Sequence, residues 1–466
     1  MENASEWAQR QFGGVTLGDK RRGQRVVKMA EGMAREPLGS LPQQMGSWEA
    51  QKGAYRLLDT ASVSHAGLSE PHWRNTREES GRAGLVVLMV QDFTDLNYVG
   101  HPATAGLEEI SKGVMGGLWV HNTLAVLPQG RRVIGLAYQQ VWARGARLSP
   151  EKESKAHRRK RSNRQSLRWG QAVAAIGKPP EQVKWVHVAD RESDAFELFE
   201  TILKIGADFC IRIVQERRLA NWTAEQPIYL LKKVRDLPEM GNRTLVIPAS
   251  PQQAVRQVQL AVSWQSITIR KPRNTPGEEK YVTAWVVRTW EKNPPPDIEP
   301  IEWLLMTSVP VQSLPDALER IEWYTCRWVI EEYHRCLKTG CQIEKSQLRH
   351  AERIQRLLAF LSILAVRLLQ LRDLSRSTPH LLAIDHVDPV LVQIIALRSN
   401  QKMPNELTLG FFWFEVAKLG GFPARKSDGD PGWLRLWRGW LQLLDIAEGV
   451  RLAHYLPLID KDVGNP

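Results

Sequence analysis

The spacing of apolar residues along the chain changes character several times. Over KRRGQRVVKMAEGMARE, apolar Val26, Met29, Ala30 and Met33 recur at helical spacing behind Asp19, a natural cap. A second helix is predicted at WEAQKGAYRLLD, after a turn region from Gly39 to Gly46. From residue 84 the period shifts to strands. Leu85 to Val90 is an apolar run that stops at Gln91-Asp92, and LWVHNTLAVLP and RVIGLAYQQVWAR read as a hairpin joined at Gln129-Gly130-Arg131. A helix near SLRWGQAVAAIG, a strand from Lys184 to Ala189 ending at Asp190, a helix (ESDAFELFETILKIG) and a strand (ADFCIRIV) follow. Residues 218–312 alternate as β structure, as in LAVSWQSITIR and YVTAWVVRTW, with proline-rich breaks such as NPPPDIEP. The rest reads as helical, with an apolar stretch from Leu357 to Leu371 and a tail carrying Trp413, Trp433, Trp437 and Trp440.

Strand, hairpin, helix, strand, helix is the order of a mixed α/β core rather than a purely parallel sheet. A chain of 466 residues exceeds one compact core. The expected division is a helical unit over 1–70, an α/β unit over 71–375 with a β-rich insertion at 218–312, and a helical unit over 376–466. The Leu357 to Leu371 stretch is interrupted by Arg367 and is short for a bilayer, so it reads as a buried helix. The N-terminal MENASEWAQRQFGG has no apolar signal core. A soluble protein of the cytoplasm, without a membrane partner, is the expectation.

Charge adds a partner to this picture. A formal net charge of +12 suits a polyanion, because Lys and Arg gain affinity by displacing counterions from phosphates, although solubility alone would also use it. Arg21, Arg22, Arg25 and Lys28 load the first turns of the first helix, and Arg158, Arg159, Lys160, Arg161, Arg164 and Arg168 form a second basic stretch. Four cysteines, Cys210, Cys326, Cys336 and Cys341, are too few for a disulfide framework and fit a reducing compartment. Three of them lie near His334, but without a Cys-x-x-Cys pair the spacing does not suit zinc.

The candidate chemistry lies in three carboxylates. Asp92 and Asp190 each follow an apolar strand, where α/β sheets hold side chains beside an open crevice. Either aspartate alone reads equally well as a turn or cap residue. In VHVAD, Val186, Val188 and Asp190 share one face at period two. The third carboxylate sits in WYTCRWVIEEYHRCLKTG, predicted as one helix. Trp323, Cys326, Ile330, Tyr333 and Leu337 make its buried stripe, while Tyr324, Arg327, Glu331 and Lys338 fall within roughly 60° of one another on a separate face. One carboxylate among Arg, Lys and Tyr suits a hard cation next to phosphate, although a solvated face with an Arg327–Glu331 pair has the same spacing. Glu332 points away, and Asp95 reads as a turn residue. Two strand ends and a helix supplying three carboxylates match a two-metal phosphoryl-transfer centre, with ions about 3.5–4 Å apart.

These residues resemble the insertion-sequence-four family of bacterial transposases. Tyr324, Arg327, Glu331 and Lys338 match the family signature without a gap, and Asp92 in QDFTDLNY and Asp190 in ADRESDAF match its two aspartates. LGDKRR, GAYR, WVH, WLLMTS and LGGF extend the similarity over most of the chain. The resemblance implies a ribonuclease-H-like catalytic core between a helical N-terminal DNA-binding domain and a helical C-terminal dimerisation domain. It implies an Asp92-Asp190-Glu331 triad holding two Mg²⁺ ions, with Mn²⁺ as a substitute. Trp303 would stack a flipped base during DNA hairpin formation, Arg212 would contact the DNA end, and Arg327, Lys338 and Tyr324 would hold the flipped nucleotide's phosphate. The implied partners are transposon ends with inverted repeats, target DNA and a second copy of the chain. Phe93 and Asp95 depart from the family pattern around the first aspartate, and the C-terminal region is the least similar part. A plain nuclease and an idle DNA-binding regulator are the competing classes. Against them stand the place for a base-stacking Trp303 and the intact triad.

Overall fold

The computed structural model describes residues 4–143, 165–247, 256–400 and 404–455, apart from positions 38, 112, 222, 224, 227, 274, 297, 426 and 427. The chain opens with α1 (Ala4–Phe12), α2 (Lys20–Arg35), α3 (Leu41–Met45), α4 (Trp48–Asp59) and α5 (His65–Ser80). Asp19 caps α2 by accepting the Arg21 N–H at 2.8 Å, as its sequence position predicts, and Val26, Met29, Ala30 and Met33 are its buried stripe. The region read as a turn between Gly39 and Gly46 contains α3, started by Ser40 and Gln43 and closed by Gly46 at φ +69°.

Among the described residues, a ten-stranded mixed sheet follows. Its first part is β1 (Val86–Asn97), β2 (Glu108–Ser111), β3 (Val114–Leu127), β4 (Arg132–Trp142), α6 (Gln165–Ile176), β5 (Lys184–Ala189), α7 (Phe196–Lys204) and β6 (Asp208–Arg212). Then come α8 (Leu230–Arg235), β7 (Gly241–Ile247), β8 (Arg256–Arg270), β9 (Tyr281–Glu291) and β10 (Glu302–Thr307). Across the sheet the order is β2, β3, β1, β5, β6, β10, β9, β8, β7, with β4 also paired to β3. β1, β5 and β6 are parallel to one another, and the remaining pairs are antiparallel. The β-rich segment is therefore an extension of the central sheet, since β10 hydrogen-bonds directly to β6. Strand β1 also outruns its apolar stretch. Its ladder with β3 continues from Leu88↔Val126 to Asn97↔Gly117, so Asp92 lies within the strand and Asp95 is a strand residue rather than a turn. Backbone pairing holds the extension despite its polar side chains.

The chain then becomes helical: α9 (Leu314–Thr325), α10 (Trp328–Arg335), α11 (Ala351–Ser377), α12 (Pro389–Arg398), α13 (Leu409–Leu419) and α14 (Trp433–Tyr455). Helix α11 is longer than its apolar stretch suggests and apolar enough to cross a membrane, yet 89% of that apolar window is buried. Its neighbours explain the burial. Phe360 stacks on Phe12 of α1 at 5.2 Å, Arg356 donates to the carbonyls of Leu58 and Val63, and Arg353 pairs with Asp59. Trp413, Trp433, Trp437 and Trp440 bury themselves in the same core through α13 and α14. The expected breaks at 70 and 375 both fall inside helices, α5 and α11, because one apolar core joins the N-terminal helices, one sheet face and the C-terminal helices.

Candidate active site

Period-two packing positions the site. On β1, Leu88 and Val90 enter the large core and Val87 and Met89 the opposite one, so Asp92 is the next position on the large-core face. Val186 and Val188 precede Asp190 in the same way, Cys210 precedes Arg212, and Leu305 follows Trp303 on β10. Each apolar row thus continues one step beyond the core into a functional side chain. Asp190 sits at the end of β5 and accepts the Glu192 N–H at 2.9 Å.

The helical element arrives across this face, but not as one continuous helix. α9 ends at Thr325, the turn at Cys326-Arg327 is tightened by bonds such as Ile330 N–H to Arg327 C=O, and α10 closes with a π turn over Cys336–Gly340. The expected single helix from 323 to 340 is corrected accordingly. Arg327 lies at the break and reaches two carboxylates, Asp92 at 3.2 Å and Glu331 at 2.7 Å. Burial pushes the Asp92 carboxyl up from 3.8 to about 7, and the charges of Asp190 and Glu331 add to the rise. Arg327 and the Phe93 N–H pull the other way. A carboxyl raised this far by burial, beside two other carboxylates, marks a candidate functional site. Among the described residues, no three His, Cys, Asp or Glu side chains are already gathered at metal-binding distance. The guanidinium of Arg327 is the cation between Asp92 and Glu331, with Asp190 near enough to act on Asp92. Oxygen donors of this kind fit a hard divalent ion.

Beside the carboxylates lies an aromatic and cationic group. Trp303, half-buried, meets Tyr324 edge-on at 5.4 Å, and Arg212 bonds Tyr324 while donating to the Glu302 carbonyl at 3.2 Å. Burial raises the Tyr324 hydroxyl, keeping it a neutral donor. Lys338 is placed differently: it pairs with Asp95 at 3.3 Å and Glu344 at 3.6 Å, apart from the Arg327 contacts. Glu332 pairs with Arg372 on the other side of α10, as helix phase predicts. On α2, Arg21 and Arg25 are exposed, whereas Arg22 is half-buried and donates to the Leu17 carbonyl and Ser62 Oγ. Arg158, Arg159, Lys160, Arg161 and Arg164 lie outside the described residues.

Two features escape the sequence reading. Asp194 accepts the N–H groups of Val214 and Gln215 at 2.7 Å and pairs with buried Arg217, tying the segment after Asp190 to the one after Arg212. Asn122, paired opposite Asp92 on β3, belongs to a buried polar row. The signal for it is the His121-Asn122 step inside an otherwise apolar strand.

Residues 4–63 match the family described as transposase DNA-binding, and residues 181–367 match the transposase DDE domain. The second match contains Asp190, Arg212, Trp303, Tyr324, Arg327, Glu331 and Lys338, while Asp92 precedes it. With a mixed sheet presenting acidic side chains beneath α10, the fold is that of a ribonuclease-H-like catalytic core with helical flanks. The chain is therefore a DNA-binding transposase of the DDE class.

Proposed function

We propose that this transposase works by cut and paste, as an insertion-sequence-four family member similar to the transposon Tn-five transposase. It binds the inverted repeats at transposon ends, excises the element through a DNA hairpin and joins it to target DNA. The observation that carries this reading is Arg327 held between Asp92 and Glu331, with Asp190 near enough to act on Asp92 and with Trp303, Tyr324 and Arg212 alongside. Asp92, Asp190 and Glu331 would hold two Mg²⁺ ions, or Mn²⁺. When bound, such ions supply the charge that activates a water or 3′-hydroxyl and offsets the leaving oxygen. Asp92 must give up its proton before it can ligate. Arg327, released from its carboxylates, is free to grip a phosphate. Trp303 offers a π face to an unstacked base, and Arg212 and the Tyr324 hydroxyl point donors at the adjoining backbone. Exposed Arg21 and Arg25 give α2 the charge to dock on DNA phosphates. The working species is a homodimer bridging two ends in the bacterial cytoplasm.

The test is a labelled DNA carrying the element's own terminal repeat, incubated with Mg²⁺ or EDTA and with wild-type or Glu331→Ala protein. Metal-dependent hairpin and strand-transfer products, absent in the variant, are expected. Cutting without joining would make the enzyme a nuclease, and binding without chemistry would make it a regulator.

A further inference from the structure

A line of polar side chains crosses the apolar core behind the carboxylates. Asp92, Asn122 and Gln139 are successive cross-strand partners on β1, β3 and β4. Asn122 and Gln139 are buried, and so are the groups they meet. Gln139 Nε2 donates to Asn122 Oδ1 at 2.6 Å and to the Tyr333 hydroxyl at 3.4 Å. Its Oε1 accepts from Ser362 Oγ of α11 at 3.0 Å and meets His65 Nε2 of α5 at 2.7 Å. Asn122 Nδ2 in turn donates to His334 Nε2 at 2.9 Å. Each nitrogen and oxygen of the two amides thus has a partner. Their partners lie on α5, α10 and α11, the three helices that roof this face.

A satisfied polar row inside an apolar core admits one packing, because any slide or rotation strands a buried donor or acceptor. Here the constraint falls on α10. Tyr333 and His334 are consecutive, and Glu331 lies one turn before His334 on the same short helix. Asn122 is the residue opposite Asp92. The bond from Asn122 to His334 therefore fixes the rotation and height of Glu331 relative to Asp92. Apolar packing alone resists slippage of an eight-residue helix flanked by a tightened turn and a π turn much less.

We propose that Asn122 and His334 are positioning residues for the metal-binding pair Asp92 and Glu331, with Gln139 bracing Asn122 against α5 and α11. This rests on the metal role of the carboxylates proposed above. Residues that orient ligands from behind set metal affinity by about 10–100-fold when lost.

The experiment compares wild type, His334→Leu and His334→Gln as full-length protein. A glutamine can still accept the Asn122 amide hydrogen, whereas leucine cannot. Mn²⁺ binding is measured on DNA-free protein by electron paramagnetic resonance, alongside the metal midpoint of DNA-end nicking and the Kd for end DNA. His334→Leu should weaken Mn²⁺ binding and raise the nicking midpoint at least tenfold, while its folded fraction by circular dichroism and its Kd for DNA stay within twofold of wild type. His334→Gln should restore both metal readings. Folded His334→Leu with a wild-type Mn²⁺ affinity would overturn the proposal. So would a variant that loses DNA binding, folded fraction and rate together with an unmoved metal midpoint, which describes a merely structural histidine. Should His334→Leu not fold, Asn122→Ser takes its place with the same readings. If wild type binds Mn²⁺ and Glu331→Ala does not, yet no DNA is cut, it is the transposition reading that fails, and the Mn²⁺ comparison still decides the role of His334.

Discussion

Asp92→Asn should make the metal-free protein more stable, by an amount that grows as pH rises from about 4 to about 7. The Asp92 carboxyl rises from 3.8 to about 7 on folding, so the fold binds its proton more tightly than the unfolded chain does. Ionising it therefore costs nothing below pH 4, costs progressively more as pH climbs, and costs the full amount above pH 7. About three units correspond to about 4 kcal/mol. The lowering by Arg327 is already contained in that rise, so a gain of about 4 kcal/mol is expected above pH 7 for an amide that stands in for the neutral acid. For a chain of this length the unfolding entropy is on the order of 1 kcal/mol per kelvin, so the gain appears as about 4 °C in Tm. Thermal unfolding of wild type and Asp92→Asn in EDTA between pH 4.5 and 8 reads this directly. Adding Mn²⁺ at pH 8 should raise the wild-type Tm and leave the variant unmoved, reversing their order. A difference that is the same at both ends of the pH range, or a variant less stable at pH 8 in EDTA, would refute the reasoning.

The same proton predicts that apparent Mn²⁺ affinity falls about tenfold per unit as pH drops below 7, because ligation must displace it. Calorimetric titrations at pH 6 and 8 check this, and a flat profile would place the ion elsewhere. Glu331→Gln should abolish nicking, whereas Glu332→Gln should keep the wild-type rate, with any loss confined to stability through its contact with buried Arg372. Equal rate losses in a gel assay would sink the assignment of Glu331. Trp303→Ala should leave the first nick within twofold and cut hairpin yield by roughly 5- to 150-fold, the worth of about 1–3 kcal/mol of base stacking. An unchanged yield on a sequencing gel would make Trp303 a packing residue alone.

Local patterning made much of this structure legible. Strand β5, the β3–β4 hairpin and α4 follow from periodicity and turn residues, and period two places Asp190 on the face it occupies. What stayed hidden depends on contacts far apart in sequence. Nothing near Asp92 says that β1 continues, because its extension is held by β3. Helical spacing put Tyr324, Arg327, Glu331 and Lys338 on one stripe, but it does not show that Lys338 pairs with Asp95 and Glu344, which come from elsewhere in the chain. The β-rich stretch looked separable, but its β10 is a neighbour of β6, 90 residues earlier. Buried amides such as Asn122 and Gln139 read as ordinary polar strand positions until the helices above them are in place.

That continuity of the sheet makes the protein a ruler. Asp190, at the end of β5, and Trp303, on β10, have one strand, β6, between them, so about 10 Å, twice the inter-strand spacing, separates their two strands. No hinge lies between the two, because β5, β6 and β10 are hydrogen-bonded in sequence. The carboxylate end and the indole end must keep their distance while DNA is handled. On the roles proposed for Asp190 and Trp303, any bending, unstacking or rotation needed to occupy both would fall on the nucleic acid, and sequences that deform cheaply at that step would be favoured without a single base being read.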